Sequence, residues 1–215
     1  VEGMSSGVAP IFVDQHGQNS ILIIKGANNA LTPAEVDAAE ANIRSCGLII
    51  LQLEIPLETV YHTIELGRRS APATKELAID RVCACDFFVP NETELAILTE
   101  MPTATQEDVE HAATFLLEKG LKNVIVTLGE RGVLWMTKAE KYYVPACRVD
   151  ATDTSGAGDA FIGCFSSCYV QDGDVLAAIR KASAFAALSV TRKGTQMSYP
   201  DRAAFAAFLA QQGRQ

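Results

Sequence analysis

The chain has 215 residues, 48% of them apolar, and a formal net charge of −8 at pH 7. That composition belongs to a folded globular protein and lacks the basic face of a nucleic-acid binder, although helix ends and backbone amides can still hold a nucleotide locally. No apolar run reaches membrane-spanning length and no signal-peptide pattern is present, so a cytoplasmic protein without a membrane partner is expected.

The length suits one large domain, or one domain with a small appendage. Because the first residue is Val1, the chain is expected to begin inside a longer protein. Six cysteines (Cys46, Cys83, Cys85, Cys147, Cys164 and Cys168) form no CxxC pair, and His16, His62 and His111 show no ligand spacing. Free thiols in a reducing cytosol are expected rather than zinc sites or disulfides.

Residues 7–13 and 20–24 are two extended runs joined by the polar segment 14–19, which predicts a β-hairpin. Gly26-Ala27-Asn28-Asn29 then breaks the pattern. Thr32 as cap and Pro33 at the first helical position start a helix running to about Ser45. Residues 47–53 are a short continuous apolar run, predicted as a strand buried on both faces. Glu54 sits just past its end, and a helix is predicted from Pro56 to about Leu66.

Gly67-Arg68-Arg69 passes straight into Ser70-Ala71-Pro72-Ala73 without the apolar strand that a βαβ chain needs there. Residues are therefore expected to be missing at that seam. A short helix over 76–82, a strand over 85–89 and a helix opened by Pro90-Asn91-Glu92-Thr93-Glu94 come next. Another helix covers 107–119 and ends at Gly120. A strand over 124–128 turns through Gly129-Glu130-Arg131-Gly132 into 133–137, and residues 142–149 are extended. Helices over 161–170, 174–189 and 201–211 complete the chain, with a turn at Thr191-Arg192-Lys193-Gly194. Alternating strands and helices predict an α/β protein with a mostly parallel sheet covered on both faces, from which the hairpin projects. Tyr142 and Tyr143 are expected to face solvent and core alternately and carry no assigned role.

In such sheets ligands bind past the carboxyl ends of the strands. Four polar groups fall there: Glu54; Asn91 with Glu94; Thr127 with Gly129; and Asp153 with the turn that follows it. Taken singly, Glu54 reads as a helix-entry carboxylate and Asn91–Glu94 as a capping box. The last group is the most informative. Asp153-Thr154-Ser155-Gly156-Ala157-Gly158-Asp159 follows an extended run and opens an apolar helix. A Gly-Ala-Gly turn there leaves backbone N–H groups free at the positive end of the helix, where an anion can sit. The same dipole favours a negative side chain such as Asp159. An anion cradle beside a carboxylate suits phosphoryl transfer to a hydroxyl, whereas the plainer alternative is a Gly-rich helix cap.

These residues resemble the ribokinase-like carbohydrate kinase family over essentially the whole chain. The resemblance is carried by Gly7-Val8-Ala9-Pro10-Ile11-Phe12-Val13, Gly26-Ala27-Asn28, Leu51-Gln52-Leu53-Glu54, Pro90-Asn91-Glu92-Thr93-Glu94, Thr127-Leu128-Gly129, the Asp153–Asp159 motif and Val190-Thr191-Arg192-Lys193-Gly194. It implies a three-layer α/β sandwich and, through the Leu-Gln-Leu-Glu and Thr-Arg-Lys-Gly segments, ATP-dependent phosphorylation of D-ribose at its 5-hydroxyl. It further implies Asp159 as the base and Gly156, Ala157 and Gly158 as the anion hole. Glu54 is similar to a sugar-holding residue of the family. Asn91, Thr127, Gly129, Gly132, Gly158 and Ser183 match nucleotide-contacting positions, Ser183 near the adenine. Glu94 matches the acid that organises Mg²⁺ through water. Asp153, Ser155, Ser189, Arg192, Gly194 and Ser198 match a monovalent-cation site, usually K⁺, which would steady the turn.

By the same resemblance residues 1–28 are part of a β-sheet lid that closes over the sugar and often pairs two subunits, and residues 29–215 the kinase domain. The chain starts after the family's leading Gly-Gly-Asn region and its ribose-gripping Asp, so only part of the sugar site is expected. Another sugar or nucleoside kinase of the family, or an inactive nucleotide-binding fragment, are the alternatives. A dinucleotide-binding dehydrogenase is disfavoured, because no GxGxxG follows the first parallel strand.

Overall fold

The computed structural model describes residues 1–13, 19–67 and 79–212. It begins with the predicted hairpin, in which β1 (Ile11–Val13) pairs antiparallel with β2 (Asn19–Ile21) and Phe12 lies opposite Ser20. A further bridge joins Val8 to Ile24, while of the loop expected over 14–19 residues 14–18 lie outside the described residues and Asn19 already belongs to β2. Apolar side chains of the hairpin face solvent, Phe12 being 64% exposed.

The helix predicted from Thr32 to Ser45 forms as two, α1 (Pro33–Ala38) and α2 (Glu40–Ser45). At its start the Glu35 carboxylate accepts the Thr32 N–H at 2.7 Å. The break falls at Ala39 (φ −97°, ψ 4°), whose N–H shortens its reach to the Val36 carbonyl at 3.0 Å, a 3₁₀-type tightening. The strand predicted over 47–53 does not form. A strand exists only by laddering with a neighbour, none of the described residues pairs with this one, and Ile50 is 55% exposed. The following helix, α3 (Leu57–Gly67), is held to the chain before α1 by a hydrogen bond from Thr59 Oγ1 to the Leu31 carbonyl at 2.7 Å. The seam after Arg69 and the start of the helix expected from residue 76 lie outside the described residues, and α4 (Ile79–Val82) is that helix's end.

The central sheet contains β3 (Phe87–Phe88), β4 (Asn123–Thr127), β5 (Val133–Met136) and β6 (Lys141–Val144), in that spatial order. The α/β class holds, with a correction to the pairing. Of the described pairs only β3–β4 is parallel, and β5 and β6 return antiparallel. The links on either side of β5 are too short for the crossover that parallel neighbours require.

Helices cover both faces. α5 (Glu92–Thr99) and α6 (Gln106–Glu118) lie on one side, α7 (Ala157–Asp172) and α8 (Val175–Ser189) on the other, and α9 (Arg202–Gln212) packs on α8. Alternate residues of β4 and β5 divide between two cores. Val124, Val126, Leu134 and Met136 meet Leu95, Val109 and Leu116. Ile125, Val133 and Trp135 meet Phe161, Phe165, Ile179 and Ala182. The tyrosines of β6 alternate as expected. Tyr142 stacks on Trp135 with ring centroids 5.4 Å apart, and Tyr143 packs against the opposite core with its hydroxyl 3.2 Å from the Glu110 carboxylate. All six cysteines carry free thiols. Among the described residues no helix is long and apolar enough to cross a membrane.

Candidate active site

Strand register brings the predicted groups to one edge of the sheet. Thr127, the last residue of β4, lies opposite Val133, and Val133 lies opposite Val144, the last residue of β6. Asn91, just past β3, bridges Thr127 in parallel. The carboxyl ends of β3, β4 and β6 therefore share an edge, and three of the four predicted groups leave the sheet from it.

The first group is held by its own helix start. Asn91 Oδ1 accepts the Glu94 N–H at 2.8 Å, and a Glu94 carboxylate oxygen accepts the Asn91 N–H at 2.8 Å. This is the capping box expected from the sequence, and it aims both side chains at the start of α5. The second group is the 3₁₀ turn Gly129–Arg131 with Gly132 after it. Gly132 has φ 97°, and a Cβ there would stand 2.1 Å from the Val144 carbonyl, so only glycine lets β6 pass this close. Arg131 is ion-paired with Glu92 across the gap, tying this turn to the first turn of α5. That pair was not foreseen, because the two residues lie on different strand ends.

The third group is built around Asp153, which is 8% exposed. One carboxylate oxygen accepts the Ser155 N–H at 2.9 Å and the other the Gly194 N–H at 2.9 Å. These donors, Gly194 first, hold its carboxyl below the usual Asp range. The Val190 carbonyl, at the end of α8, accepts both the Thr152 N–H at 2.7 Å and the Asp153 N–H at 3.1 Å. Ser155 Oγ is buried beside the carboxylate but makes no hydrogen bond of normal geometry. Ser189 and Ser198 are buried as well, their hydroxyls donating to the Ala186 and Thr195 carbonyls at 2.8 and 2.6 Å. Asp153, Ser155, Ser189, Arg192, Gly194 and Ser198 thus lie on two segments that this clamp holds together.

Gly156 caps α7 in the left-handed conformation (φ 74°, ψ 7°). The Ala160 N–H reaches its carbonyl at 2.9 Å, and Ala157 donates to the Thr154 carbonyl at 3.3 Å. Among the described residues no acceptor meets the N–H groups of Gly158 and Asp159, the orphan donors of a helix start. Both residues are exposed, and a Cβ at Gly158 would find nothing within 4 Å. The turn therefore offers open backbone donors with the Asp159 carboxylate on the same helical turn.

Glu54 stands apart. Its N–H reaches its neighbour Gln52 at 2.6 Å, and no hydrogen bond or ion pair among the described residues joins its side chain to the other groups. Ser183, in the middle of α8, has a buried hydroxyl without a hydrogen-bond partner. No cluster of three or more His, Cys, Asp or Glu side chains among the described residues is placed to hold a metal ion.

An α/β sheet with open helix-start N–H groups past its strand ends is an arrangement that can hold a phosphate, and comparison with known proteins gives the family. The family profile described as pfkB family carbohydrate kinase matches residues 1–202. Deoxyribokinases of Salmonella typhi and Salmonella typhimurium are 58% identical over 214 residues, covering 96% of this chain and 70% of each of those proteins. The ribokinase of Schizosaccharomyces pombe is 40% identical over 212 residues, covering 93% of this chain and 66% of that protein. Among solved structures, Thermotoga maritima ribokinase superposes with a TM-score of 0.82 at 36% identity, covering 96% of this chain and 70% of that one. Arabidopsis thaliana ribokinase, complexed with ribose and ATP, gives 0.82 at 30% identity with the same coverage. The chain belongs to the pfkB family of carbohydrate kinases and is a ribokinase-type carbohydrate kinase.

A depressed carboxyl contributes stability that is complete above its unfolded value, about 3.9 for Asp, and that is lost as the pH falls through its folded value. Asp153 is expected to behave so. The stability gap between the wild type and Asp153→Asn, measured by urea unfolding, should be widest above about pH 5 and shrink progressively as the pH is lowered below that. A gap independent of pH would remove the carboxylate from this role.

Proposed function

We propose that this chain carries the nucleotide site and the catalytic base of an ATP-dependent pentose kinase acting on a primary 5-hydroxyl. One observation carries the proposal: the open N–H groups of Gly158 and Asp159 share the first turn of α7 with the Asp159 carboxylate. In the reaction the hydroxyl oxygen attacks the γ-phosphorus as Asp159 takes its proton, and the bond to the ADP oxygen breaks. Backbone donors of the Gly156-Ala157-Gly158 turn, the open Gly158 N–H first among them and the Asp159 N–H beside it, meet the charge that develops on the transferred phosphoryl group, assisted by the helix dipole. Asn91, Thr127, Gly129 and Gly132 follow the nucleotide along the sheet edge, Ser183 lies near its base, and Glu54 holds the sugar.

The residues fit two cations. Glu94 already uses a carboxylate oxygen in its cap, which suits holding Mg²⁺ through water rather than directly. Mg²⁺ arriving with ATP neutralises phosphate charge. The ionised Asp153, the poorly satisfied Ser155 hydroxyl and oxygens from Ser189, Arg192, Gly194 and Ser198 suit a monovalent cation such as K⁺. Bound there, it steadies the turn.

Identity to the Salmonella deoxyribokinases, at 58% against 40% to the fission yeast ribokinase, favours 2-deoxy-D-ribose as the substrate, with D-ribose the alternative. Both sugars carry the primary hydroxyl that the mechanism needs.

Asp159→Asn is expected to lower kcat by about 10²- to 10⁴-fold while leaving ATP affinity nearly unchanged; a variant that kept most of its turnover would disprove the base assignment. In paired assays kcat/KM should be higher for 2-deoxy-D-ribose than for D-ribose, and the reverse order would restore ribose as the substrate. Turnover should rise on adding K⁺, and equal rates in K⁺-only, Na⁺-only and cation-free buffer would rule the monovalent site out.

A further inference from the structure

Tyr199 belongs neither to the motif nor to the mechanism above, yet its hydroxyl reaches the catalytic turn. It follows the 3₁₀ turn Gln196–Ser198 with φ −65° and ψ 129°, the extended form imposed on a residue that precedes proline, here Pro200. Its ring lies 6.1 Å from that of Phe185 on α8, and Phe185 meets Phe205 of α9 edge-on at 5.2 Å. Two aromatic side chains, Phe185 directly and Phe205 through it, thus hold the phenol in place from two helices. The Tyr199 hydroxyl donates to the Gly156 carbonyl at 3.2 Å. A Cβ at Gly156 would stand 3.0 Å from that hydroxyl oxygen, so a side chain there would crowd the contact.

The peptide plane that ends in the Gly156 oxygen begins at the Ala157 nitrogen, and such a plane is rigid. Fixing the oxygen therefore fixes the direction of the Ala157 N–H. The same oxygen accepts the Ala160 N–H, the first bond of the α7 ladder, so it also sets how the helix start is oriented. Two backbone bonds also hold this plane, the Ala160 N–H at 2.9 Å on its oxygen and the longer one from the Ala157 N–H to the Thr154 carbonyl at 3.3 Å, but both come from the same stretch of chain, whereas Tyr199 reaches it from outside. Glycine in the left-handed region is permissive, so an outside hold narrows the directions this plane can take.

We infer that Tyr199 is a positioning residue for phosphoryl transfer: its hydroxyl pins the Gly156 carbonyl and so aims the anion-binding N–H groups of the first turn of α7. This rests on the kinase function proposed above. The aromatic contacts give α9 a part in the site as well, as one wall of the mount that carries the hydroxyl.

Tyr199→Phe tests it in the full-length protein, because it keeps the ring and its contacts and removes only the donor. The expected result is a kcat about tenfold lower, less than the 10²- to 10³-fold lost with a direct anion-hole donor. KM for ATP and for sugar should stay within about twofold, and the thermal midpoint within about 2 °C. Aluminium fluoride with ADP, a mimic of the phosphoryl group in flight, should bind about tenfold more weakly while ADP alone binds as before. Wild-type kcat and wild-type aluminium fluoride affinity would overturn the inference. So would losses of kcat, KM and thermal stability together, which mark a packing role. Asp159→Asn is assayed alongside. Full activity in that variant would sink the kinase mechanism itself, a result separate from either outcome at Tyr199.

Discussion

A single buried carboxylate joins the two stretches of chain that meet beside the start of α7. Asp153 takes one N–H from Ser155, two residues on, and another from Gly194, which is 41 residues away. Buried charge is tolerated only when it is well satisfied, and here the satisfaction comes from backbone, which cannot swing away as a side chain can. The Val190 carbonyl adds two bonds in the opposite sense, accepting from Thr152 and Asp153. Donors and acceptors therefore alternate across the junction, and neither stretch can shift without breaking several of them.

That junction is rigid because of what lies beneath it. α7 and α8 deliver the two stretches, and both helices sit on the same core, with Phe161 and Phe165 from one and Ile179 and Ala182 from the other against Ile125 and Trp135 of the sheet. The small alanines of α8 let the helices approach closely, while the opposite core holds α5 and α6 and so the Asn91 side of the edge. Sheet register aligns the two halves: Asn91, Thr127, Val133 and Val144 follow one another across neighbouring strands. Geometry at the site is thus inherited from strand pairing rather than from loops.

What could be read from the sequence was what is local. Thr32-Pro33, the Asn91–Glu94 box and Gly120 after α6 are signals confined to a few residues, and each appears where it was expected. The Gly-Ala-Gly turn was legible for the same reason. The strand over 47–53 was misread because an apolar run specifies burial, whereas a strand also needs a partner, which a short window cannot show. Antiparallel β5 and β6 were missed because strand direction depends on link length, a weaker cue than the alternation of elements. Tyr199, the Val190 carbonyl and the Arg131–Glu92 pair carry no local signature at all, for their partners are 37 or more residues distant.

The two glycines of the motif, only two positions apart, answer to different demands. Gly156 is required by the fold: its φ is 74°, and any side chain would press on Tyr199 and Thr195. Gly158 is required by nothing in the chain, since a Cβ there would meet no atom within 4 Å. Alanine is worth about 1 kcal/mol more than glycine inside a helix, so selection for folding alone would fill that position. A glycine makes sense there only if something must come closer to the backbone than a methyl group allows. At this one residue helix stability and open access to the backbone pull in opposite directions, and a single methyl group would trade the second for the first.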